Sequence, residues 1–221
     1  MLVAVLSLVL GSVLGLAQVR IKRLLTYSTV SHVGFLLLAL TAYSVDGVGA
    51  FLFYLVQYSL TSLAALSVLL AFGYAVYGRA NQQRAHGTDM ELLSELVGRV
   101  QSQPLLCLGL TALLFSMAGV PPFVGFFAKQ AVLDTSLTAH YAGLGVLAVL
   151  VSVISASYYL KLVRLMSFTG VASGDGSGVQ PLAAAHTFTV STVVLLVSTY
   201  VLLPSTFLDS TRALAMTISL G

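Results

Sequence analysis

Lys129 is the residue of this 221-residue chain whose placement most demands a chemical reason. It lies inside an apolar run from Pro104 to Leu137, and it is the only lysine set well inside such a run. An ionisable side chain at the centre of a bilayer costs roughly 2.5–3.5 kcal/mol on insertion scales. Upstream in the same run stands Gly119-Val120-Pro121-Pro122. The two prolines remove two backbone donors and clash with the preceding turn, so no α-helix passes unbroken. In lipid, such a break survives only where the freed carbonyls are buried in protein or line a watery cavity. An interrupted transmembrane helix beside a buried lysine points to the movement of ions or protons. A lysine so placed can release and retake a proton, which one in neutral water rarely does. The competing readings are that Lys129 snorkels to the interface, or that it pairs with Asp134, five residues on and poorly spaced for a direct helical pair.

Other polar groups fall in apolar segments. His32 shares a helical face with Ser28, and histidine relays protons in the physiological range. It can equally be a neutral interhelical hydrogen-bonding group. Tyr54, Tyr58, Thr61 and Ser62 make one stripe, with Gln57 nearby, and Ser152, Ser155 and Tyr159 make another. Such stripes hold rows of water or act as interhelical glue. Three inward polar faces beside one broken helix argue for a hydrated core. Lys161 follows Tyr158-Tyr159 near a helix end and can close a path towards water, whereas Arg23 and Arg164 read as topology anchors. Gly119 and Gly125 read as sites of close backbone approach. No carboxylate sits at mid-membrane: Asp46 and Asp134 end spans, and Glu91 and Glu95 lie in a loop. Phosphate-loop, dinucleotide, haem and zinc patterns are absent, and Cys107 is the single cysteine. The chain is therefore expected to hold no cofactor and no metal of its own, and to make no nucleic-acid contact.

The elements that must position these groups follow from composition. Hydrophobic residues are 58% and charged residues 8%, with mean hydropathy +1.00. A soluble domain carries about 25% charged residues, so this is an integral membrane protein in contact with lipid. The apolar runs have helical length, not the ~10-residue alternation of barrel strands. The expected fold is all-α, with spans at Leu2–Val19, Leu24–Tyr43, Gly49–Tyr77, Pro104–Leu137 (broken), Tyr141–Phe168 and His186–Leu203. Apolar spacing over Thr88–Gln101 predicts a short interfacial helix, capped at Thr88 or Asp89. Gly170–Gly178, in the connection 169–185, reads as a flexible loop, and the tail after Pro204 as amphipathic. Arg20, Lys22, Arg23, Arg79, Arg84, Arg99, Lys161 and Arg164 all fall on one side of the six spans. The positive-inside rule puts that side in the cytoplasm or matrix and both termini opposite. No cleavable signal is evident.

Three motifs then carry a resemblance. Ile21 to Phe35 (IKRLLTYSTVSHVGF), Ala118 to Lys129 (AGVPPFVGFFAK) and Tyr158 to Arg164 (YYLKLVR) resemble, in order and spacing, signatures of the antiporter-like subunits of respiratory complex I. Within that family the likeness is strongest to the subunit 2 branch of NADH dehydrogenase. The resemblance implies two inverted five-helix repeats, each with a broken helix and a buried lysine, fed by a central row of charged residues. This sequence carries the second repeat (1–168) and a final helix with its tail (186–221). Taken with that resemblance, the polar groups read above make a candidate proton path of Lys129, His32, Tyr54, Tyr58, Tyr159 and Lys161, with Gly119, Pro121 and Pro122 at the break. Tyr58 stands where sister subunits often have a histidine. The implied partners are the other membrane subunits of complex I and a companion chain carrying the first repeat. NADH, FMN, iron–sulfur clusters and ubiquinone would be bound by other subunits. The implied setting is the mitochondrial inner membrane, with both termini on the intermembrane-space side, or a bacterial plasma membrane. The rival readings are a subunit of a multi-chain cation/proton antiporter and a structural membrane spacer without a working path.

Overall fold

The computed structural model describes residues 1–77, 92–101, 103–168, 191–192, 195 and 204–220. Seven α-helices account for most of them: α1 (Leu2–Leu16), α2 (Ile21–Leu40), α3 (Val45–Tyr77), α4 (Pro104–Ala118), α5 (Val124–Thr138), α6 (Ala142–Ser167) and α7 (Pro204–Leu220). Among the described residues no strand forms; Arg20 and Leu92 make an isolated bridge. An apolar run in lipid must satisfy its backbone groups internally, and the helix does so. Stretches within α2 (Ile21–Leu40), α3 (Val45–Gly73) and α6 (Ala142–Ser167) are long and apolar enough to cross a bilayer. The apolar α1 and α4 are shorter, at 15 residues each.

The turns are closed by local chemistry. Tyr43 adopts the left-handed region (φ 49°), and the Ser44 hydroxyl accepts the Gly47 N–H (3.0 Å) at the start of α3. Beyond α5, His140 is also left-handed (φ 62°), and the Tyr141 N–H returns to the Ser136 carbonyl (3.0 Å). These reversals set α2 against α3 and α5 against α6.

α3 touches α2, α4, α5 and α7, while α1 packs on α2 and α6. The interior is built from Phe35, Phe53, Tyr54, Phe72, Leu110, Tyr158 and Tyr159, all 2% exposed or less. The broken run is realised as α4 and α5. The expected helix over 88–101 takes another form. Residues 88–91 lie outside the described residues, and 92–101 make two short 3₁₀ turns, Leu93–Leu96 and Arg99–Gln101. Backbone bonds taken from neighbours shape the segment: Leu93 N–H to the Val19 carbonyl (3.1 Å) and Gly98 N–H to that of Leu165 (3.2 Å). Those bonds stitch it to the ends of α1 and α6, where Arg20 and Arg164 lie. The predicted loop 169–185 lies outside the described residues. So does the predicted helix 186–203, apart from the helical Ser191, Thr192 and Leu195.

Candidate functional site

The register of the two prolines creates the site. In an α-helix the N–H of residue i bonds the carbonyl of i−4. The donors for Met117 and Ala118 would be residues 121 and 122, and both are proline. α4 therefore stops at Ala118 with Gly119 left-handed (φ 83°). Gly119 N–H reaches the Phe115 and Ser116 carbonyls (3.0 and 3.1 Å), and Val120 N–H also reaches Phe115 (3.1 Å). The Ala118 carbonyl is left for another donor. The Lys129 amine supplies it, at 2.7 Å.

Lys129 projects from the second turn of α5 and is 7% exposed. It neither snorkels outward nor pairs with Asp134, which is exposed on another face of α5. Its Nζ lies 5.5 Å from the centroid of the Phe35 ring, within cation–π range. A Cβ at Gly119 would lie 2.8 Å from Lys129 Cδ, and one at Gly125 would overlap the Ser116 carbonyl. Both glycines are thus needed for α4 and α5 to close around the amine.

The second part of the site centres on His32, 5% exposed on α2. Its Nδ1 lies 2.7 Å from the Tyr54 hydroxyl on α3, and its Nε2 lies 3.1 Å from the Tyr159 hydroxyl on α6. Tyr58 stacks on the imidazole at 4.3 Å between centroids, and its hydroxyl donates to Thr29 Oγ1 (2.8 Å). Three helices therefore meet at one imidazole through hydroxyls that can donate or accept. Phe35 joins the two parts: its ring stacks on Tyr54 (5.9 Å) and lies beneath the Lys129 amine.

The structure thus sets Lys129 at the break beside Ala118 and Gly119, and gathers Tyr54, Tyr58 and Tyr159 on His32 with Phe35 between the two groups, while Pro121 and Pro122 are exposed. Lys161 stands apart, with an exposed side chain on α6. The polar stripes are narrower than expected. Ser62 turns its hydroxyl to the Ser59 carbonyl (3.1 Å) and Ser152 to that of Val149 (2.7 Å), both near the surface. One noted residue gains a partner, and one participant was missed. Gln57, 6% exposed, donates to the Ser116 hydroxyl (3.3 Å) and so ties α3 to α4 just before the break. The Ala118 carbonyl was readable in principle, because it lies four residues before Pro122.

Residues 1–155 match the family described as NADH:quinone oxidoreductase/Mrp antiporter, transmembrane. The chain belongs to that family. Among its relatives, NADH-ubiquinone oxidoreductase chain 2 of Rhizopus oryzae is 38% identical, over 97% of this chain and 45% of its own length. NADH-quinone oxidoreductase subunit N of Hydrogenovibrio crunogenus is 37% identical, over 94% and 41% respectively. The chain therefore spans less than half the length of these oxidoreductase relatives. A chain of respiratory complex I from Thermus thermophilus superposes with a TM-score of 0.75 at 31% identity, covering 94% of this chain and 44% of that one. A chain of the Mrp complex from Dietzia shares the fold, with a TM-score of 0.79 at 19% identity over 97% of this chain and 46% of that one.

Proposed function

We propose that this chain is the second-repeat portion of a membrane-arm subunit of a proton-translocating NADH:quinone oxidoreductase, of the chain 2 or subunit N type. The observation that carries this reading is the Lys129 amine, buried at the carbonyl that the helix break exposes, with only the Phe35 ring between it and the His32–tyrosine cluster. In this reading Lys129 exchanges a proton with waters held by His32, Tyr54, Tyr58 and Tyr159 as charge changes in neighbouring subunits. A hydroxyl passes a proton by accepting on one lone pair while donating its own hydrogen, so the network conducts without bond-making chemistry. Lys161, at the surface, would meet the aqueous side of the path.

The subunit would hold no redox cofactor. NADH, FMN, iron–sulfur clusters and quinone would sit in other subunits, and the partners would be those subunits together with the polypeptide segment that carries the first repeat. The chain would cross the membrane six times, counting 186–203, with the basic loops in the matrix or cytoplasm. Both termini would face the intermembrane space of a mitochondrion or the outer side of a bacterial plasma membrane.

Isolation of the native assembly in mild detergent tests the reading. Co-purification of flavin- and iron–sulfur-containing subunits, with NADH:quinone activity, is expected. A second reading, a subunit of a multi-chain cation/proton antiporter, draws on the shared fold with the Mrp complex. An assembly free of flavin and iron–sulfur proteins would replace the first reading with that one.

A further inference from the structure

Two buried hydroxyls lie next to the His32 cluster without taking part in it. Ser31 and Tyr158 are 2% and 1% exposed, and neither hydroxyl makes a well-formed hydrogen bond to another described residue, although that of Tyr158 lies towards the Ser155 and Tyr159 hydroxyls. More than nine in ten buried polar groups in folded proteins have one, counting ordered water. Most serines and threonines here satisfy themselves on a carbonyl of their own helix, as Ser28 does on Leu25 (2.7 Å) and Ser155 on Val151 (3.0 Å). Ser31, beside Ser28 on α2, does not. A tyrosine cannot, because its hydroxyl is held too far from its own backbone.

Both residues face α1. A Cβ at Gly11 would overlap the Ser31 backbone, and one at Gly15 would lie 3.1 Å from Tyr158 Cε1. Gly11 and Gly15 are one helical turn apart, so Ser31 and Tyr158 border one junction between α1, α2 and α6. Ser12, fully buried between those glycines, turns its hydroxyl to the Val9 carbonyl (3.0 Å). Water is the ligand whose chemistry fits two orphan hydroxyls, since it both donates and accepts.

The junction also has a direction. The Tyr158 and Tyr159 rings are 4.5 Å apart between centroids, and Tyr159 holds His32. Away from His32, Tyr158 touches Gly15 near the end of α1 that leads to Arg20, and α6 continues to Lys161 and Arg164. We infer that Tyr158, with Ser31 and bound water at the α1–α2–α6 junction, is a further limb of the proton path, running from Tyr159 and His32 towards the basic end of the bundle. A proton arriving on the water moves to the Tyr158 oxygen as that hydroxyl gives its own towards Tyr159, which in turn gives its own to the His32 imidazole. Turning of the hydroxyls and the water restores the starting orientation. This limb rests on the proposed pumping function.

The test uses the complete assembly reconstituted in proteoliposomes, comparing the parent, Tyr158→Phe, Ser31→Ala and Lys129→Ala. A cryo-EM map that shows ordered water should carry density within hydrogen-bonding distance of Tyr158 Oη. Tyr158→Phe keeps the ring against Gly15 and removes only the hydroxyl; it should lower proton translocation per NADH several-fold with thermal stability unchanged. Ser31→Ala should act in the same direction and serves as the deciding variant if Tyr158→Phe does not assemble. Parental stoichiometry in both variants, with Lys129→Ala impaired, would overturn the limb and leave the pumping function standing. Parental stoichiometry in Lys129→Ala as well would overturn both.

Discussion

At the scale of single residues, the site gives both ring nitrogens of His32 and the Lys129 amine a defined partner. His32 satisfies two tyrosine hydroxyls at once, from α3 and α6. Leaving a buried hydroxyl unpartnered costs roughly 1–3 kcal/mol. His32→Ala should therefore destabilise the assembled subunit by more than Tyr54→Phe, which orphans one imidazole nitrogen only. Thermal unfolding of the two variants in the same detergent measures the difference, and equal midpoints would contradict the shared-imidazole geometry. His32 and Lys129 were legible in the sequence because each is the only basic residue of its span. Gln57 and Thr29 were not. Whether a mid-helix Gln or Thr meets a neighbour depends on how two helices are rotated about their axes, and no single segment encodes that rotation. The outward turn of Ser62 and Ser152 was hidden for the same reason.

At the scale of elements, the interrupted helix is a device for exposing one carbonyl. The prolines free it, Gly119 turns the chain away, and α5 returns an amine to it. A left-handed conformation costs a non-glycine residue roughly 1–2 kcal/mol, and a Cβ at Gly119 would in addition press on Lys129 Cδ. Gly119→Ala should thus reduce coupled proton translocation while α4 and α5 persist. Gly125→Ala would drive a methyl group into the Ser116 backbone, which has no flexible end to move, and should lower the amount of assembled complex. Blue-native gels alongside pumping assays separate these outcomes; full pumping in Gly119→Ala would contradict the role given to the turn. The break was readable from Gly119, Pro121 and Pro122 alone, since proline chemistry is local. The 3₁₀ form of 92–101 was not, because its backbone bonds go to Val19 and Leu165, partners remote in sequence.

At the scale of the whole molecule, α7 packs on α3 across the end opposite the basic turns. Arg212 meets Asp46 there at 3.5 Å, and both line a cavity of about 420 Å³ with Gln130, Asp134 and Thr138. Side chains that are 48% and 66% exposed are well screened, and such pairs are worth about 0–1 kcal/mol. Arg212→Ala should shift the unfolding midpoint little, and a large loss would mean that α7 depends on the pair and not on its apolar packing. The amphipathic tail was visible in the sequence, but its seat on α3 was not. That seat depends on close approach at Gly49, where a Cβ would lie 3.2 Å from Arg212 Cγ.

The central claim is that protons move through Lys129 because an amine is held in the membrane interior at an interrupted helix. The most direct measurement is the number of protons translocated per NADH oxidised by the Lys129→Ala complex in sealed proteoliposomes. The account predicts a lowered ratio in a complex that still assembles and still oxidises NADH when uncoupled. An unchanged ratio would contradict it.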